Sequence, residues 1–144
     1  MATERRAEAT WRGSLMGVAG TIERVGSGAF GPLGVSWPAR AESSDGKTSP
    51  EELIAAAHAT CFAMALSHGL AQADHSPEQL DVSATVTFQP GTGITRSALT
   101  VSGRVSGLDE AGFREAAEDA KENCPVSQAL RGNVELSLDA RLQS

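Results

Sequence analysis

The sequence predicts an α+β fold in which short, mainly antiparallel strands surround one long buried helix. Three observations carry this. Residues 48 to 70 read as a single, almost wholly apolar helix. Two later stretches alternate apolar and polar residues with the period of a half-buried strand. Between them lies a segment with apolar residues at helical spacing, so the order is strands, buried helix, hairpin, helix, strand.

The long helix has a clear start. Ser49 is a capping residue, Pro50 fits the first helical position, and Glu52 stands three after the cap. The body, LIAAAHATCFAMALSHGL, is rich in Ala, Leu and Met, and Gly69 is its expected end. From Leu53 to Leu66 only His58, Thr60 and arguably Cys61 are not apolar. Such a helix has no solvent face and must be surrounded.

Upstream, seven glycines from Gly13 to Gly34 punctuate β-like pieces such as Thr21 to Val25, which predicts a small meander with tight turns. GSGAFGPLG has the glycines of a phosphate loop, but no Lys-Ser/Thr follows it and no helix pattern begins there. Arg40, in WPAR, is placed at the end of a β-like stretch. Downstream, Leu80, Val82, Ala84, Val86 and Phe88 alternate with polar residues, Pro90-Gly91 makes a turn, and Leu99, Val101 and Val105 continue as a hairpin partner. Asp109 caps a second helix running to Asn123. Cys124-Pro125 breaks it, VSQAL forms another short turn, and Val134 to Leu142 alternate as a last strand.

The chain has 144 residues, the size of one ordinary domain spanning 1–144. Its net charge of −6 repels nucleic acid and anionic membranes. No apolar run reaches the roughly 18 residues expected of a membrane span. MATERRAEATWRG lacks the apolar core of a signal peptide, so a cytoplasmic location is expected. One small sheet covers one side of the apolar helix and the second helix a little more. A second copy of the chain is the economical cover for the rest, which predicts a homodimer.

Two cysteines, Cys61 and Cys124, stand 63 positions apart, which is neither a C-x-x-C pair nor a metal knuckle. They read either as two buried hydrophobes or as a redox pair. A reactive thiol needs positive charge nearby. His58 lies one turn before Cys61, but a histidine in an apolar helix is more often a core residue with its hydrogen bonds satisfied. Arg40 is the better candidate, because arginine stays charged when buried. Glu52 completes the capping box, which leaves Glu51 available to hold a cation. Ten helical residues, about 15 Å of rise, separate Glu51 from Cys61. If both serve one site, they come from different subunits or meet through a bridging arginine.

TSPEELIAAAHATCFAMALS, residues 48 to 67, closely resembles the central helix of the OsmC/Ohr family, the osmotically inducible and organic hydroperoxide resistance proteins. CPVSQAL, residues 124 to 130, resembles its second signature. Ala9-Thr10-Trp11-Arg12-Gly13 and Trp37-Pro38-Ala39-Arg40-Ala41-Glu42 are similar in spacing to the OsmC branch. The resemblance implies an OsmC-like fold, an intertwined homodimer with sites at the subunit interface, and a thiol-dependent peroxidase that prefers organic hydroperoxides. It implies Cys61 as the peroxidatic cysteine, Cys124 as the resolving one, Arg40 as the activating arginine with Arg24 the nearest alternative, and Glu51 as its orienting carboxylate. A dithiol or lipoyl-type reductant is implied, and no metal or organic cofactor.

Three other chemistries fit parts of the pattern. A non-catalytic domain on the same fold would use an apolar pocket for a small ligand. A hydrolase using Cys61 with His58 needs an orienting residue and an oxyanion hole, neither of which can be placed. A metal site from His58, Cys61 and Cys124 lacks a fourth ligand.

Overall fold

A computed structural model describes residues 1–17 and 19–143. The chain divides into two compact units, Met1–Leu53 and Ile54–Ser144.

The first unit is the predicted meander. Strands β1 (Ala7–Trp11), β2 (Ala19–Val25) and β3 (Leu33–Ser36) form an antiparallel sheet in sequence order. The Trp11 ring lies over Gly20, its partner across β1 and β2, and any side chain at Gly20 would collide with it. The residues around Arg40 depart from expectation: Trp37–Ala41 form a short helix, α1, and not the end of a strand. Ser36 caps it, its hydroxyl accepting the Ala39 N–H at 3.1 Å, and Pro38 fits the first turn.

Helix α2 (Pro50–Gln72) begins as the sequence predicts, with Ser49 Oγ accepting the Glu52 N–H at 3.2 Å. The Glu52 carboxylate accepts from the Thr48 hydroxyl at 2.8 Å, so Thr48 joins the capping box. The helix does not end at Gly69. It runs on until Asp74 turns left-handed (φ 64), where the His75 N–H bonds back to the Leu70 carbonyl at 2.8 Å.

In the second unit, β4 (Gln79–Gln89), β5 (Gly93–Arg104) and β6 (Glu135–Leu142) form a sheet in that order. β4 and β5 are the predicted hairpin. β6 pairs with β5 in parallel, which the alternation pattern could not reveal. The crossover is supplied by α3 (Glu110–Asn123) and α4 (Pro125–Leu130). Asp109 caps α3 as predicted, accepting the Gly112 N–H at 2.8 Å.

The core of this unit is built from rows. His58, Phe62, Leu66 and Leu70 recur every fourth residue on α2 and are all buried. Phe113, Ala117, Ala120 and Cys124 form the matching row along α3 and its end. Leu99 and Val101 of β5 close the cluster. Gly103 is required here, because a Cβ at that position would lie 2.6 Å from Cε1 and Cζ of Phe113. By length and mean hydropathy (1.4), α2 also passes the criterion for a membrane-crossing helix, contrary to the expectation that no run was long enough. Its packed row, and the buried hydrogen bonds of His58 described below, are those of a core helix. The opposite side is bare in the single chain, with Ala56, Ala57, Thr60 and Met64 exposed.

Candidate active site

The first unit brings together two of the predicted residues. Arg40, in the last turn of α1, meets Glu51, in the first turn of α2, in a two-pronged ion pair. Arg40 Nε donates to the two carboxylate oxygens at 3.0 and 3.1 Å, and Nη2 donates to Oε2 at 2.8 Å. Glu51 is only 6% exposed. A carboxylate so buried requires this kind of partner. The guanidinium also lies 6.0 Å from the centroid of the Trp37 ring. Arg40 forms part of the wall of a cavity of about 420 Å³, lined otherwise mainly by apolar side chains including Trp11, Ile22, Val35, Trp37 and Leu53.

The second unit brings together the other two. Cys61 sits mid-way along α2, half-buried, and Cys124 is fully buried at the joint between α3 and α4. Both are free thiols, and Cys61 packs against the core cluster that contains Cys124, whose side chain acts on it. The 62 intervening residues are the rest of α2, the hairpin and α3, whose return carries Cys124 back to α2. Burial pushes the Cys61 thiol up, and the Cys124 side chain pushes it the same way. A backbone N–H from Val126 works against that rise. Left to the second unit, Cys61 therefore favours the thiol over the thiolate.

His58 is the buried core histidine that the composition of α2 suggests, and both ring nitrogens are bonded. Nδ1 lies 2.6 Å from Ser97 Oγ on β5, and Nε2 lies 2.8 Å from Ser127 Oγ on α4. Both serines are buried. They stand 39 and 69 residues from His58, so no local pattern could have found them. Burial lowers the His58 pKa. Arg24, the alternative arginine, is exposed on β2 and pairs with Glu8 of β1 at 2.8 Å.

This architecture is shared with known proteins. The family model described as OsmC-like protein matches residues 43–139. Peroxiredoxin OsmC of Escherichia coli K12 is 37% identical over 147 aligned positions that cover all of both chains. The organic hydroperoxide resistance protein OhrB of Bacillus subtilis is 30% identical over 65% of this chain and 70% of its own. A crystal structure of an organic hydroperoxide resistance protein from Elizabethkingia anophelis superposes with a TM-score of 0.73 at 25% identity, covering 99% of this chain and 100% of that one. The chain belongs to the OsmC/Ohr family. Its likeness to the OsmC relative spans the whole length, as the motif spacing predicts.

Proposed function

We propose that this protein is a cysteine-based peroxidase that reduces organic hydroperoxides, and hydrogen peroxide less well. The observation that carries the proposal is the meeting of Cys61 and Cys124, two thiols far apart in sequence whose side chains interact in one core cluster. The names of the relatives, peroxiredoxin and organic hydroperoxide resistance protein, point the same way.

The chemistry runs in three steps. The Cys61 thiolate attacks one peroxide oxygen, the O–O bond breaks, and the alkoxide leaves and takes up a proton to become an alcohol. Cys61 is now a sulfenic acid. The Cys124 sulfur attacks it, water leaves, and the Cys61–Cys124 disulfide forms. A dithiol or lipoyl-type reductant reopens the disulfide by exchange. Arg40 is assigned the positive charge that offsets the burial of Cys61 and stabilises the departing alkoxide. Glu51 fixes the direction of its guanidinium. We assign both to one site with the cysteine pair, in a single functional domain of 1–144 that works as a homodimer with its sites at the subunit interface. The bare apolar side of α2 supports the dimer, since exposed Met64 and its alanine neighbours need cover.

The test is a thiol count on reduced protein after one equivalent of cumene hydroperoxide, with an intact mass taken alongside. Loss of both thiols and of two hydrogens' mass is expected. In Cys61→Ser, peroxide consumption should vanish while the oligomeric state stays unchanged. Two unreacted thiols in the parent protein would refute the peroxidase and leave a ligand-binding protein, for which the apolar cavity beside Arg40 is the place to look.

A further inference from the structure

His58 takes no part in the steps above, yet its one ring joins three elements: α2 through its own backbone, β5 through Ser97, and α4 through Ser127. A neutral imidazole has one donor and one acceptor nitrogen, so one serine hydroxyl accepts from the ring and the other donates to it. Both bonds are fully buried, where an unmade hydrogen bond is expensive.

The placement of Ser127 matters. It follows Val126, whose backbone N–H favours the Cys61 thiolate, and it stands three residues after Cys124. α4 is only six residues long and has no side-chain cap at its start. His58 lies three residues before Cys61 on the same helix. The His58–Ser127 bond thus ties the segment carrying Cys124 and Val126 to the segment carrying Cys61.

We propose that His58 is a positioning residue for the cysteine pair: through Ser127 it holds α4 so that the Cys124 thiol and the Val126 N–H both stay on Cys61, which raises the effective concentration of one thiol at the other. This rests on the peroxidase reading for its role in turnover. The positioning itself is a property of the pair and is measurable without peroxide. The burial-lowered pKa of His58 agrees with a ring kept neutral for this purpose.

The experiment equilibrates the full-length protein with glutathione buffers of graded GSSG/GSH ratio and reads the fraction of Cys61–Cys124 disulfide. Forming it converts one GSSG to two GSH, so the quotient [GSH]²/[GSSG] at the midpoint gives the effective concentration directly. Three variants divide the contacts. His58→Gln can place its amide near the position of Nε2 and keep the Ser127 bond. His58→Asn can reach only toward Ser97. Ser127→Ala removes the α4 end alone. The expected result is a midpoint shifted about tenfold or more toward GSSG in His58→Asn and Ser127→Ala, and less than about threefold in His58→Gln.

With peroxide, His58→Asn and Ser127→Ala should form sulfenate at near the parent rate and then close the disulfide about tenfold more slowly, visible as dimedone adduct. A merely structural role would lower melting temperature in all three variants without sorting the midpoints. Unshifted midpoints in Ser127→Ala, which removes a single buried hydroxyl and leaves the histidine intact, would overturn the proposal. Normal glutathione behaviour with no reaction toward peroxide would instead remove the peroxidase reading and leave the positioning role standing.

Discussion

Replacing Glu51 by glutamine keeps the shape of the side chain and removes its charge. The carboxylate now takes both Nε and Nη2 of Arg40. A glutamine oxygen can accept one of these donors, while its amide nitrogen, itself a donor, faces the other. Hydrogen bonds to charged groups contribute roughly 1.5–3 kcal/mol net. The Arg40 side chain is 30% exposed, so water recovers part of that. The expected cost is about 1.5–2 kcal/mol, or about 3–8 °C of melting temperature for a chain of this size. Arg40→Met should cost more, about 3 kcal/mol, because it strands a buried carboxylate. Urea denaturation of both single variants and the double variant, at one protein concentration, completes a cycle whose coupling energy should reach about 1–3 kcal/mol. A coupling below about 0.5 kcal/mol would refute the pair as a structural unit, and with it the argument that Glu51 aims the guanidinium. In the same variants the rate of Cys61 oxidation should fall together with the coupling; an unchanged rate in Arg40→Met would move the activating charge to Arg24 or elsewhere.

Gly103→Ala should destabilise by about 1–3 kcal/mol through its collision with the Phe113 ring, read by calorimetry, and Gly103→Ala with Phe113→Leu should recover part of the loss. Cys124→Ser should consume about one equivalent of peroxide and stop at a sulfenic acid that dimedone traps; no adduct would count against Cys124 as the resolving thiol. His58 gives a pH signature. Its folded pKa lies below the ordinary 6.5, so as pH falls the unfolded chain binds the proton first. Its contribution to stability is complete above that value and declines below it, by up to about 1.4 kcal/mol per pH unit, until the folded ring itself protonates. Urea titrations between pH 7 and 5.5 should show His58→Gln losing stability less steeply than the parent protein, and parallel curves would disprove the assignment.

Much of the fold was legible because its signals are local. Ser49-Pro50 marks where α2 begins and Asp109 where α3 begins, since a cap acts within three residues. The alternation from Leu80 to Phe88 needed only the period of a strand. What failed was non-local or hidden by a competing signal. Strand direction leaves no trace in alternation, so the parallel pairing of β6 was invisible. Gly69 looked like a helix end, but the left-handed turn went to Asp74, where the chain could also close on Leu70. The capping Ser36 and Pro38 do mark the start of α1, but the β-like residues before them carry the stronger local signal. In the candidate site, the freedom of Glu51 followed from Glu52 filling the cap, and its partner Arg40 was chosen for its permanent charge. Neither Ser97 nor Ser127 could be found, because nothing near a serine in sequence says which histidine folds against it.

Cys124 is the single non-helical residue between α3 and α4, and its backbone is fastened on both sides. Its N–H bonds to the Ala120 carbonyl at 2.9 Å, and its carbonyl accepts the Gln128 N–H at 3.0 Å. Only the side chain is left to turn, and a cysteine has one rotor between Cα and sulfur. Closing a bond from this position freezes almost no motion that folding has not already frozen, and opening it releases almost none. In the proposed peroxidase the two redox states would thus differ little in the chain entropy of this joint.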